Sequence, residues 1–302
     1  MTASAHHPSP WTRFADAPWR HGGAFRQGGR KVSLRRWTGE SAMPGVTGES
    51  PSRRAKRQGW ATIFPDEDRE GFPSEDRIAF PALPFASCFA YLPGGRGGLC
   101  EEGKLLCAKL KAADPVWLPQ LVAQVWMEAK GHRRFPLIFG GPVILVPVPG
   151  SAPVRATDCL GARLASCLTQ IGLAAEVWPV LRRRHAVRKS AFAAAGERPS
   201  ALEHYASFAI ERGAWCGAPV GAESVVRERS GSRLRLTLVD DVITRGRTLM
   251  AAAVRIREAF PEAEVRAFAF LRTLNADETL RRVLDPCEGE IRWRSGDARR
   301  RP

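Results

Sequence analysis

The chain has 302 residues, 44% of them hydrophobic, and a formal net charge of +15. That hydrophobic content is ordinary for a globular protein, no run of 18 apolar residues offers a membrane span, and residues 1–10 lack the apolar stretch of a secretory leader. Seven cysteines at irregular spacing fit reduced thiols in a cytoplasm better than a disulfide framework. No Cys-x-x-Cys occurs, and Cys88, Cys100 and Cys107 lack a four-ligand spacing, so no structural zinc is expected.

The charge is unevenly placed. Residues 1–60 hold 11 Lys/Arg against 3 Asp/Glu, and residues 291–302 hold 5 Arg against 1 Asp, so the stretch between them is close to neutral. Residues 1–60 are rich in Gly, Ser, Pro, Arg and Trp and have no helical or strand periodicity. Such a segment buries too little apolar surface to offset its ordering entropy and is expected to be disordered. Trp11, Phe14, Trp19, Phe25 and Trp37 alternate with arginines, which permits weak stacking on single-stranded nucleic acid. A plain unstructured extension is the favoured reading, with Met43 as another candidate start.

Residues 61–142 read as a small helical cap or hood. Asp114-Pro115 predicts a helix start, although Pro119 moves it later. Leu118, Leu121, Val122, Val125, Trp126 and Ala129 then form an apolar stripe of the kind a core requires.

Residues 143–275 predict an α/β core: a central, mostly parallel sheet flanked by helices. The apolar run 143–149 suits an interior strand. Leu160, Leu164, Cys167, Leu168 and Ile171 mark a helix closed by Gly172. Residues 177–181 predict the next strand, and 182–200 a cationic loop. Residues 276–290 are expected to close the sheet, and 291–302 to form a frayed arginine tail.

The densest signal lies between these elements, at residues 234–248. An apolar strand enters two adjacent carboxylates, Asp240 and Asp241, then a loop of Thr244, Arg245, Gly246, Arg247 and Thr248. Leu249, Ala252, Ala253, Ile256 and Phe260 then recur at helical spacing. A helix N-terminus offers free N–H groups and partial positive charge to a phosphate monoester. The threonine hydroxyls add donors, Gly246 allows close approach, and the carboxylates can accept from vicinal ribose hydroxyls. The pattern describes a ribose 5-phosphate site; the competing reading is a surface turn whose acids keep a sheet edge soluble.

Residues 234–248 closely resemble the phosphoribosyl-pyrophosphate (PRPP) signature of type I phosphoribosyltransferases: acidic pair, aliphatic Val242-Ile243, then Thr-x-Gly-x-Thr. Thr237 is more polar than that pattern usually allows. The resemblance implies that Asp240, Asp241, Thr244, Arg245, Gly246, Arg247 and Thr248 bind PRPP, and that Pro149, Gly150, Ser151 and Arg198 hold pyrophosphate. It gives Asp240 and Asp241 a catalytic role together with Arg188 and Lys189 of a closing loop; a solvated basic loop is the alternative for 182–200. Mg²⁺ is expected to arrive with PRPP rather than on protein ligands. His185 and His204 are weighed as proton donors against the commoner role of bystander.

Val146-Pro-Val-Pro149, the basic loop and the Val265–Thr273 segment resemble the ComF-like, competence-associated members, across about residues 85–275 and without their zinc module. The implied activity is transfer of the phosphoribosyl group to a nitrogen nucleophile in the cytoplasm, with pyrophosphate released. A catalytically silent PRPP sensor, or a nucleic-acid-associated regulator of DNA uptake, is the alternative. Neither the acceptor nor the oligomeric state is written in these residues.

Overall fold

The computed structural model describes residues 82–154, 157, 159–188, 198–211, 234–274, 278–294 and 297–301, together with strand pairing at 25–27 and 30–32. The chain divides into two units, Met1–Ala61 and Thr62–Pro302. In the first, β1 (Phe25–Gln27) and β2 (Arg30–Val32) pair antiparallel. The disorder expected for the rest of 1–60 lies outside the described residues.

The second unit is mixed α/β. Its elements run β3 (Leu83–Tyr91), α1 (Gly98–Lys111), α2 (Trp117–Trp126), a π-helical turn (Met127–Gly131), α3 (Pro136–Phe139), β4 (Ile144–Pro147), α4 (Leu160–Gln170) and β5 (Glu176–Val177). They continue with β6 (Leu181–Arg183), α5 (Ala201–Ser207), β7 (Phe208–Ile210), β8 (Arg235–Ile243), α6 (Arg247–Ala259), β9 (Glu264–Thr273), β10 (Leu284–Arg294) and β11 (Asp297–Arg301). Seven strands form one sheet in the order β11-β10-β3-β9-β8-β4-β5. The five from β3 to β5 are parallel, and β10 and β11 are antiparallel additions at one edge. No helix among the described residues is long and apolar enough to cross a membrane.

Three expectations change. Residues 83–91, assigned to a cap, form a buried strand paired to β9; their apolar run suits a strand covered on both faces. The single strand expected at 177–181 is two, β5 in the main sheet and β6 in a separate ribbon with β7. Pro179 stands between them and cannot donate to a ladder. Residues 291–301 are not a frayed tail, because β10 runs to Arg294 and turns back through β11, with Ile291 and Ala298 buried.

Consecutive β8 side chains face opposite sides of the sheet. Leu236 and Leu238 share a core cluster with Leu249, Met250 and Ala252 of α6. Thr237 is buried and donates to the Ile138 carbonyl at 3.2 Å, which accounts for a hydroxyl inside this strand. Arg235 donates to the Gly140 carbonyl at 2.6 Å and Arg266 to that of Leu137, so the free carbonyls of the short helix α3 are satisfied from beneath.

Helix α4 ends as its sequence predicts. Gly172 has φ +77°, the Leu173 N–H donates to the Leu168 carbonyl and the Gly172 N–H to that of Thr169. At its other end Gly161 lies against the sheet: a Cβ there would stand 2.8 Å from the Val148 oxygen and 3.1 Å from that of Val239. Helix propensity alone favours Gly161→Ala by up to about 1 kcal/mol. Against backbone oxygens that cannot swing away, the substitution is instead expected to cost about 1–3 kcal/mol, a loss that urea unfolding would register as a lower midpoint.

Candidate functional site

The chain leaves β4 through α4 toward β5, and leaves β8 through α6 toward β9, in opposite directions along the sheet. In open α/β sheets, ligands bind in the crevice outside the carboxyl ends of strands at such a switch point. Residues Pro149, Gly150 and Ser151 leave β4 there, and the acidic pair and its loop leave β8. The two exits run together, since the Val148 N–H donates to the Val239 carbonyl at 2.9 Å, one residue before Asp240.

Strand β8 continues through both acids to Ile243, so the loop is only Thr244, Arg245 and Gly246. Gly246 sits at φ +88°, a left-handed conformation that glycine adopts without penalty. A Cβ there would also come within 2.7 Å of Ile291 on β10. Arg247 opens α6, whose first intrahelical bond runs from the Met250 N–H to Gly246. The N–H groups of Arg247, Thr248 and Leu249 therefore precede that bond, at the positive end of the helix dipole. An open cleft lies over them, walled by Asp240, Thr244, Arg245, Gly246, Arg247, Thr248, Arg198 and His204.

The cleft wall includes Asp240 but not Asp241. Alternation along β8 puts Asp240 on the α6 side and Asp241 on the side of α3, so the pair straddles the strand end. The Asp241 N–H donates to Asp240 Oδ1 at 2.9 Å. Burial, and then the neighbouring Asp241 charge, push the Asp240 carboxyl well above its ordinary range. The Tyr91 hydroxyl and Cys107 thiol also titrate high, first because they are buried, with Asp241 adding to the effect.

Arg247 is a clamp. Its guanidinium holds Asp297 of β11 in a bidentate pair at 2.6 and 2.5 Å and donates to the carbonyls of Arg198 and Pro199. Arg245 is half-exposed, 3.8 Å from the same carboxylate. Arg198 is exposed on the cleft wall, and Arg188 is exposed near Glu203. Lys189 lies outside the described residues. Pro149 is buried, Gly150 exposed, and the Ser151 carbonyl accepts from the Val187 N–H at 2.9 Å.

Sequence reasoning missed Arg183, placed then in the cationic loop. It is buried in β6, where Nε donates to the Gly150 carbonyl at 2.5 Å, Nη1 to Ser207 Oγ, and Nη2 to His204 Nδ1 at 3.1 Å. Its guanidinium carbon lies 4.1 Å from the Phe208 ring centre. Burial lowers its pKa to about 10, with the Asp240 charge acting the other way. Two signals were available. Arg183 shares a face with Leu181 at strand period, and Ser200-x-x-Glu203 is a capping box that starts α5, both of its hydrogen bonds being formed. His185, by contrast, is exposed.

No family model matches the sequence, and no curated protein matches it. Among the described residues no three His, Cys, Asp or Glu side chains converge as a metal site.

Because folding raises the Asp240 pKa, the native state favours the protonated acid. Its charge therefore penalises folding above the ordinary carboxylate range, and the penalty is absent below it. Asp240→Asn keeps an acceptor for the Asp241 N–H and is expected to be more stable than the native chain at pH 7. The difference should shrink toward zero below about pH 4. Denaturant titrations at pH 7 and pH 4 measure it, and equal stability at pH 7 would contradict a half-buried, penalised carboxylate.

Proposed function

We propose that this protein is a type I phosphoribosyltransferase-like enzyme of the cytoplasm. It would transfer the phosphoribosyl group of Mg-PRPP to a nitrogen nucleophile and release pyrophosphate. The observation that carries the reading is the exit of β8. An acidic pair, a three-residue loop with a left-handed glycine and the open N-terminus of α6 follow one another at the sheet's switch point.

The 5-phosphate would sit on the N–H groups opening α6, with donors from the Thr244 and Thr248 hydroxyls. The ribose hydroxyls would donate to Asp240 and Asp241 on either side of the strand end. As the C1–O bond to pyrophosphate breaks and the C1–N bond forms, positive charge develops on the ribose and the nitrogen gives up a proton. Carboxylates beside that charge lower the barrier because they interact more strongly with the transition state than with the ground state. The β4 exit at Pro149, Gly150 and Ser151, with Arg198 on the cleft wall and Arg188 and Lys189 on the basic segment, would receive the departing pyrophosphate.

Magnesium would arrive on PRPP rather than on a set of protein ligands: burial and the Asp241 charge hold the Asp240 carboxyl protonation-prone, a nearby cation would favour its charged form, and phosphate and carboxylate oxygens are the hard ligands this ion prefers. Carried by PRPP, Mg²⁺ would supply neutralisation of the leaving diphosphate.

Pyrophosphate release from Mg-PRPP, measured with a panel of nitrogen acceptors, tests the reading. Asp241→Ala is expected to lower turnover by more than about tenfold; unchanged turnover would remove Asp241 from catalysis. Retained PRPP binding with no release for any acceptor would contradict a transferase and favour a sensor.

A further inference from the structure

His204 occupies an unusual position for a histidine that sequence reasoning left between proton donor and bystander. It is buried on α5, yet its ring forms part of the cleft wall. Nδ1 lies 3.1 Å from Nη2 of Arg183, and Nε2 lies 3.4 Å from Oγ1 of Thr248.

The direction of each contact follows from chemistry. A guanidinium carries only donors, so Nδ1 must accept and cannot bear a proton. Burial, and then the Arg183 charge, lower the His204 pKa to about 4, so the ring is neutral at pH 7. A neutral imidazole with a bare Nδ1 holds its proton on Nε2, which donates to Thr248 Oγ1. Among the described residues, that is the only hydrogen-bond partner of this hydroxyl. Its own proton therefore has no acceptor on the His204 side and is left for the cleft.

We infer that His204 is a positioning residue for phosphate: locked by Arg183, it turns the Thr248 hydroxyl so that its proton is donated to a phosphate-monoester oxygen at the start of α6. The inference rests on the phosphoribosyl reading of the cleft. It also gives Arg183 a second task, because the same guanidinium holds the Gly150 carbonyl at the β4 exit. One side chain thus touches the β4 exit directly and the first turn of α6 through His204.

The test uses ribose 5-phosphate as probe, titrated calorimetrically into the full chain and its variants. His204→Asn keeps an acceptor for Arg183 near the position of Nδ1 but has no donor for Thr248. His204→Gln keeps a donor near the position of Nε2. His204→Asn and Thr248→Val are each expected to weaken binding by about tenfold, the worth of one hydrogen bond. The double variant should be no weaker than Thr248→Val alone, and His204→Gln should restore most of the affinity. Nitrogen-15 shifts of the native His204 ring should report the neutral Nε2–H form at pH 7.

Native-like affinity in His204→Asn, additive losses in the double variant, or an Nδ1–H or doubly protonated ring would overturn the role of His204 while leaving the phosphoribosyl reading intact. Failure of the native chain to bind ribose 5-phosphate would overturn that reading, and this inference with it.

Discussion

A buried guanidinium costs several kcal/mol unless its N–H groups find acceptors, and the way Arg183 meets that demand organises the crevice. Its partners come from two separate pieces of chain: the Gly150 carbonyl after β4, and His204 and Ser207 in the middle and at the end of α5. Ser207 Oγ in turn donates to the His204 carbonyl at 2.6 Å. Removing any one partner leaves a donor unpaired in a dry environment. The β4 exit, the β6–β7 ribbon and α5 are therefore held in one arrangement, beside the charge of Asp240.

A second constraint works from the other side of the loop. Ile291 of β10 fills the space a Cβ on Gly246 would need, and Asp297 of β11 grips Arg247 at the first turn of α6. Two parallel N–H···O contacts to a carboxylate fix orientation as well as distance. The arginine-rich C-terminal segment thus supports the loop after β8 through its one acid, Asp297, and one of its apolar residues, Ile291. Its basic side chains are a separate matter: Arg299 is exposed, whereas Arg300 donates to the Thr273 carbonyl at 2.8 Å.

What could be read from the sequence was whatever is local. The β4 run, the α4 stripe with its closing Gly172, and the strand-acid-loop-helix pattern at 234–248 each carry their signal within about fifteen consecutive residues, and each forms as its pattern indicates. Asp114 accepts from the Val116 and Trp117 N–H groups in the turn ahead of α2, whose N-cap is Val116. What escaped depends on distant partners. Arg183 looks like any other arginine in a basic run until Gly150, 33 residues away, supplies its acceptor. Arg247 reads as one more residue of the loop until Asp297, 50 residues on, is seen to pair with it. Residues 83–91 look like the start of a cap because their partner, β9, lies at the far end of the chain.

We propose that the crevice between the β4 and β8 exits binds a phosphoribosyl diphosphate through its acidic pair. Calorimetric titration of Mg-PRPP into the full chain, and into an Asp240→Ala/Asp241→Ala double variant, tests it most directly. The account predicts saturable binding by the native chain that the double variant loses while remaining folded. No binding by the native chain, or equal binding by both, would contradict it.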